Sequence, residues 1–276
     1  MKSRIVADPV RFPRMTTEEI RTTFLLDSLF KPDVIEMVYC DVDRAIVGSA
    51  VPAAKPLALE AASELRADFF TQRRELGVLN TGAAGSVKVD GKVYHMNNRD
   101  GLYIGRGSRE IIFSSDNPAS PAYFYLLSYP AHREYPTMQA AQKDAAATNL
   151  GSAEQCNQRT IYKYIHPDGI RSCQLVMGFT ELAAGSVWNT MPPHTHDRRM
   201  EVYLYFDVDD ASRVFHLMGQ PDETRHIVVA NRQVVISPSW SIHSGVGTKA
   251  YAFCWGMGGE NQAFDDMDGL TIDQLR

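Results

Sequence analysis

The sequence predicts an all-β-dominated chain, with two β-rich units in tandem and a few short helices. Two observations predict it. From residue 76 to about 130 the chain breaks into short runs, "LGVLNTG", "GSVKVDGKVYHM", "DGLYIGRG", "REIIFSS" and "AYFYLLSYPA", split by Gly, Asn and Asp. A similar series follows from 160 to 258, with "TIYKYIHP", "CQLVMGFTEL", "MEVYLYFDV", "SRVFHLMG", "RHIVVANRQVVISP" and "KAYAFCWGM". Strands this short and regularly spaced suit a sandwich or a barrel.

Each element has its own signal. In "TTEEIRTTFLLDSLF" Thr16 stands three residues before Glu19, the capping-box spacing, and Ile20, Phe24 and Leu25 follow at helical spacing. Pro32 marks a stop. The texture then changes: "VIEMVYCDVDRAIVGSA" is rich in β-branched residues and ends in small ones. "ALEAASELRADFFTQRR" reads as a second helix. Asp90-Gly91 signals a hairpin. Residues 136 to 157 are polar and alanine-rich and read as a connector with one or two helical turns. The division is then an N-terminal helical extension (1–33), a β unit (34–135), a connector (136–159) and a second β unit with a tail (160–276). The halves share no visible sequence repeat, so any repeat is one of architecture.

Composition narrows the function. A chain of 276 residues with 44% hydrophobic residues can bury a substantial core. A formal net charge of -5 argues against a nucleic-acid partner, which wants a basic face. No apolar run approaches the roughly 20 residues of a membrane helix, so no membrane partner is expected. The start, "MKSRIVADPVRF", lacks an apolar signal core, and a cytoplasmic location is expected. Cys40, Cys156, Cys173 and Cys254 form no CxxC pair and read as reduced core residues.

The chemistry concentrates in "MPPHTHDRRMEVYLYFDV". Residues i and i+2 of a strand lie about 7 Å apart on one face, so a bend at Pro192-Pro193 can bring His194 and His196 to one ion. If "DRR" is a turn, Glu201, Tyr203, Tyr205 and Asp207 share a polar, aromatic face opposite Val202, Leu204 and Phe206. "VVISPSWSIHSGVGT" places His243 in a turn-rich segment downstream. The N-terminal half offers only His95 and His132, far apart, and no metal site is expected there. "GRGSR" at 105–109 lacks the strand and helix of a phosphate loop.

His194-Thr195-His196, Glu201 and the Pro238 to His243 element resemble the paired motifs of the cupin family. Trp240 stands where the second motif usually has glycine. Together with "FHLMGQPDETRHIVV", "WGMGGENQAFDDMD", "YCDVDRAIVG" and "NNRDGLYIGRGSREIIFSS", these blocks are similar to the 5-keto-4-deoxyuronate isomerase family over most of the chain. The resemblance implies two tandem cupin jelly-roll barrels, of which only the C-terminal one keeps the ligands His194, His196, Glu201 and His243. It implies one zinc per subunit, a hexamer, and conversion of 4-deoxy-L-threo-5-hexosulose uronate to its 2,5-diketo isomer in pectin breakdown. Three imidazoles and a carboxylate also suit iron, manganese or nickel.

Isomerisation needs a base between adjacent carbons and a cation for the substrate carboxylate. Glu223, Glu260 and a metal-bound water are the base candidates. Arg198, Arg199, Arg225, Lys163 and Lys249 are the cation candidates, with Tyr203 and Tyr205 lining a pocket. His166 and His216 belong to no paired motif, and His226 reads as a satisfied core histidine. An iron-dependent cupin dioxygenase and a non-catalytic sugar-binding cupin are the alternatives.

Overall fold

A computed structural model describes all residues of the chain except 261 and 264. The fold is β-rich and cupin-like, with short helical elements. The chain divides into two compact units that interleave along the sequence. The first takes Met1–Ser3, Ser28–Ala146 and Tyr164–Met177; the second takes Arg4–Asp27, Ala147–Lys163 and Gly178–Arg276.

The first unit carries a seven-stranded sheet in the spatial order Lys2–Arg4, Ile35–Cys40, Ile46–Ala50, Phe124–Pro130, Arg74–Asn80, Gly101–Ile104, Met138–Ala140. A four-stranded sheet runs Leu57–Ala58, Ile111–Ser115, Gly85–Val89, Lys92–Met96. Asp90-Gly91 forms the expected hairpin turn, with φ of 47° and 88° at the two residues and Val89 facing Lys92. Apolar side chains of both sheets, among them Leu76, Val78, Val87, Phe113 and Phe124, meet in one buried core.

The expected second helix does not form. That segment holds two single turns, Ser63–Leu65 and Phe70–Gln72, and Arg66 between them takes a left-handed conformation (φ 46°). Local helix preference yields here to burial of Phe70 in the core. The segment read as a connector holds strand Met138–Ala140, the single turn Gln142–Asp144 and strand Ala146–Leu150.

The second unit has its own seven-stranded sheet: Ala146–Leu150, Arg159–Ile165, Val176–Leu182, Ala252–Gly259, Arg199–Phe206, Gln233–Ser237, Leu25–Leu26. Its four-stranded sheet runs Trp188–Asn189, Ile242–Gly247, Val214–Gln220, Glu223–Val229. Val202, Leu204 and Phe206 are buried on one face of the Arg199–Phe206 strand. Each such side chain contributes about 1.5–3 kcal/mol of apolar burial.

The N-terminal helix Thr17–Phe24 carries the expected capping box, with Glu19 Oε2 accepting from Thr16 N at 2.8 Å. It is part of the second unit and not a free-standing extension. Phe12 and Phe24 pack edge-on against Trp240 at 5.3 and 6.4 Å, and Leu25–Leu26 pairs with Gln233–Ser237. Trp240 therefore anchors the N-terminal segment. Cys40 and Cys254 are buried as expected, whereas Cys156 is exposed and Cys173 half-buried; all are free thiols.

One buried charge pins the first unit. Glu75 is fully buried and accepts from the backbone N–H groups of Cys173, Gln174 and Leu175 at 2.6–2.8 Å, and from Tyr103 Oη at 2.9 Å. Glu75→Ala leaves those donors buried without an acceptor, so it is expected to lower unfolding free energy by roughly 3 kcal/mol or more, read from urea denaturation.

Candidate metal centre

Local sequence brings the first three donors together. The peptide before Pro192 is cis, and the His194–Thr195 strand follows. Residues 197 and 198 form the expected turn, with Arg199 N donating to His196 O at 3.3 Å. That turn resets the register, so Glu201 points inward with Tyr203 and Tyr205 from the Arg199–Phe206 strand. Asp207 lies beyond that strand's end at φ 52° and does not join the face. His243 comes from the four-stranded sheet, where it faces Met218.

The donor atoms of His194, His196, Glu201 and His243 lie within 4.8 Å of one another. Glu201 Oε2 is 2.8 Å from His243 Nε2 and 3.1 Å from His196 Nε2. His243 Nε2 is 3.0 Å from His194 Nε2. Metal bonds of about 2.0–2.2 Å place neighbouring ligand atoms about 2.8–3.1 Å apart at right angles and about 3.3–3.6 Å apart at the tetrahedral angle, so the contacts of 2.8–3.1 Å suit donors of one shared ion.

Protonation chemistry points the same way. The Arg199 carbonyl accepts from His196 Nδ1 at 2.9 Å. That bond fixes the proton on Nδ1 and turns the lone pair of Nε2 towards the Glu201 carboxylate, as in a metal-ligating histidine. Two lone pairs at this distance need a positive centre, a proton or an ion. Burial alone would raise the Glu201 carboxyl, but the His243 charge and the imidazole hydrogen bonds outweigh it and hold the group well below the usual range. Burial lowers the His196 imidazole, and the Glu201 hydrogen bond and charge outweigh it and raise it. Burial, with His243 beside it, pushes His194 down to about 3. The residues therefore fit a divalent cation.

The cluster opens on a cavity of about 250 Å³. Of the four donors, His194 and Glu201 line it, beside Tyr203, Thr180, Thr190, Arg159 and Arg199. Phe253, Trp255 and Met257 give it an apolar wall.

The KduI/IolB family model matches residues 28–271. The chain belongs to the KduI/IolB family. It is 53% identical over 276 residues to a 4-deoxy-L-threo-5-hexosulose-uronate ketol-isomerase of Caldicellulosiruptor bescii, covering 100% of both chains. It is 54% identical to the protein of the same name from Lachnoclostridium phytofermentans, again over 100% of both. A solved IolB-like protein from Salmonella typhimurium shares the fold at 14% identity, with a TM-score of 0.71 over 90% of this chain and 96% of that one.

Within this KduI/IolB chain the other sequence candidates scatter. Tyr203 lines the cavity. Tyr205 is fully buried, with its hydroxyl 2.7 Å from His216 Nδ1. Arg198 pairs with Asp266 and Asp268 at 2.8 Å. Arg225 pairs with Glu223 at 2.7 Å and donates to Pro13 O. Lys249 pairs with Asp209 at 2.8 Å on the surface. Lys163, Glu223 and Glu260 are not among the cavity residues, and Glu260 is exposed. His226 is exposed and not a core residue, because it lies on the outward face of its strand next to buried Ile227, whereas His166 packs on Gly169. Arg106 of the "GRGSR" turn donates to Gln72 O and Ala131 O, so that turn is internally bonded.

Arg159, Thr180 and Trp255 escaped the sequence reading. Arg159 and Ile161 have the parity of one strand face, but nothing in sequence ties that strand to the histidines. The sheet order Arg159–Ile165, Val176–Leu182, Ala252–Gly259, Arg199–Phe206 does so.

Replacing His243 with Ala is expected to cut bound divalent metal from one per chain to well below one, measured by elemental analysis of the purified protein. His216 gives a pH prediction. Burial lowers its imidazole from the usual 6.5 to about 3, so the unfolded chain binds the extra proton between those values and the native state does not. Stability then falls as pH drops below 6.5, by about 1.4 kcal/mol per unit for this group. His216→Gln is expected to flatten that slope between pH 6.5 and 4.5 in urea titrations.

Proposed function

We propose that this chain is a metal-dependent ketol-isomerase that converts 4-deoxy-L-threo-5-hexosulose uronate to 3-deoxy-D-glycero-2,5-hexodiulosonate in pectin and uronate breakdown. The name and full-length identity of its relatives support the reaction. The observation that carries the site is the contact between a three-imidazole, one-carboxylate cluster and a cavity of sugar size. His194, His196, Glu201 and His243 hold the ion, which is zinc in this reading. The two units are tandem cupin barrels, and only the second bears the ligands. The protein works in the cytoplasm as a hexamer.

A divalent ion held there supplies Lewis acidity for the carbonyl that moves from C1 to C2. The chain supplies the rest. Burial pushes the Tyr203 phenol well above its ordinary value, so it stays a neutral donor towards a substrate oxygen. Its hydroxyl lies 3.2 Å from Thr190 Oγ1, which sets its direction. Trp255 Nε1 donates to Thr180 Oγ1 at 3.1 Å and fixes the indole as a wall of the cavity. Apolar walls keep water from the carbanion-like species that forms when the proton leaves carbon. The proton must return to the neighbouring carbon through a group on the cavity. Glu223 is 42% exposed and paired with Arg225, which removes it from that role. Glu201 is the carboxylate among the lining residues.

The two sides of the cluster favour catalysis over a purely structural ion. His196 and His243 are buried on the protein side, whereas His194 and Glu201 face the cavity. An ion shared by all four is within reach of a bound sugar.

The test is interconversion of the uronate and its 2,5-diketo isomer under anaerobic conditions, with and without chelator. Turnover is expected without oxygen, with at least a hundredfold loss in metal-stripped protein that keeps its circular dichroism spectrum. A strict need for oxygen would move the protein to the dioxygenases. Full activity of folded, metal-free protein would leave the ion a structural role.

A further inference from the structure

The cavity wall is one face of a sheet. Alternate residues supply it: Arg159 and Ile161, then Arg199, Glu201 and Tyr203, then Phe253, Trp255 and Met257. Its two cations are Arg159 and Arg199, and they differ in what they already hold. Arg199 is 1% exposed, and its guanidinium donates to Ala263 O at 2.5 Å and Asp266 O at 3.4 Å, with the Asp266 carboxylate at 3.8 Å. It ties its own chain together.

Arg159 is half-buried, and its Nη1 donates to Asn157 O at 2.8 Å. Asn157 is itself held, being 7% exposed with Oδ1 accepting from Ser152 N at 2.9 Å. The loop that carries Asn157 is shaped by Gly151 at φ 85°, where a Cβ would clash with Asn157 O. The guanidinium is thus aimed by a fixed carbonyl. Arg159 lines the cavity, and among the described residues no carboxylate pairs with it and only its Nη1 has a protein acceptor.

A half-buried cation beside apolar walls, without a counter-charge, loses solvation that one carbonyl hydrogen bond repays only in part until an anion arrives. The lone lining carboxylate, Glu201, is turned to the imidazoles. The cavity therefore presents net positive charge to an incoming ligand. Two parallel guanidinium donors match the two oxygens of a carboxylate.

We propose that Arg159 is the anchor for the substrate's carboxylate group, holding the acid end of the sugar while the carbonyl end lies against the His194, His196, Glu201 and His243 cluster. The assignment rests on the uronate reading above. It makes this side chain the determinant that selects an acid sugar over a neutral one of the same shape.

The experiment uses full-length, metal-loaded protein and two probes that differ only at the acid end, D-glucuronate and D-glucuronamide. Each is measured as a competitive inhibitor and by direct calorimetric titration. Wild-type protein is expected to bind glucuronate at least tenfold more tightly than glucuronamide. Arg159→Gln is expected to bind the two equally, to raise the KM for the uronate ten- to a hundredfold, and to keep one metal per chain. Arg159→Lys keeps the charge but not the fork, and is expected to recover part of the preference; it also serves if the glutamine variant does not fold. Undiminished preference for glucuronate in both variants would overturn the assignment, as would a wild-type protein that does not discriminate. The two readings fail separately. Absence of uronate turnover in wild type sinks the proposed reaction, and the calorimetric comparison still decides whether Arg159 holds a carboxylate.

Discussion

Four donor atoms crowded within 4.8 Å set the terms for the second unit. Lone pairs on imidazole nitrogen and carboxylate oxygen repel at such distances, and burial removes the water that would screen them. A positive centre among them turns the repulsion into attraction. The surrounding structure fixes that outcome. The Arg199 carbonyl sets the tautomer of His196, the turn at residues 197 and 198 sets the side to which Glu201 points, and pairing with Val214–Gln220 places His243 opposite.

The same strand divides its labour by parity. Val202, Leu204 and Phe206 face the apolar side, while Arg199, Glu201 and Tyr203 face the cavity. A one-residue slip would exchange the two sets and bury the charged residues among apolar ones. Pairing with Gln233–Ser237 on one side and Ala252–Gly259 on the other makes such a slip costly. The chemistry is thus protected by the register that protects the core.

The N-terminal segment shows how a motif departure acquires a use. Trp240 sits inside the element that leads to His243, and its ring is the surface against which Phe12 and Phe24 pack. Residues near the start of the chain thereby brace the loop before His243. The sequence shows the tryptophan and the helix separately; their contact joins positions more than 200 residues apart, and no local pattern reports it.

Local patterns were enough for much of this chain. The capping box at Thr16, the Asp90-Gly91 hairpin, the alternation in "EVYLYF" and the HxH spacing depend on neighbours within a few residues, and short-range sterics and hydrogen bonds decide them. They made the β-rich class and the candidate ligands legible. Local preference misled at Ala58–Arg74, where burial of Phe70 outweighs helix propensity. It was silent on which cation faces the cavity. Arg198, next to the histidines in sequence, is neutralised by Asp266 and Asp268, whereas Arg159, 35 positions before His194, lines the cavity. The sequence by itself made His194, His196 and Glu201 candidates and set the face on which Glu201 lies, because these follow from spacing along one strand and its turn; His243, on another sheet, entered only through a resemblance between motifs. Only the tertiary structure decided that the donors converge, that the cavity opens on His194 and Glu201, and that Arg159 shares it. Those facts depend on strand order in a sheet, which is fixed by long-range packing rather than by any residue's neighbours.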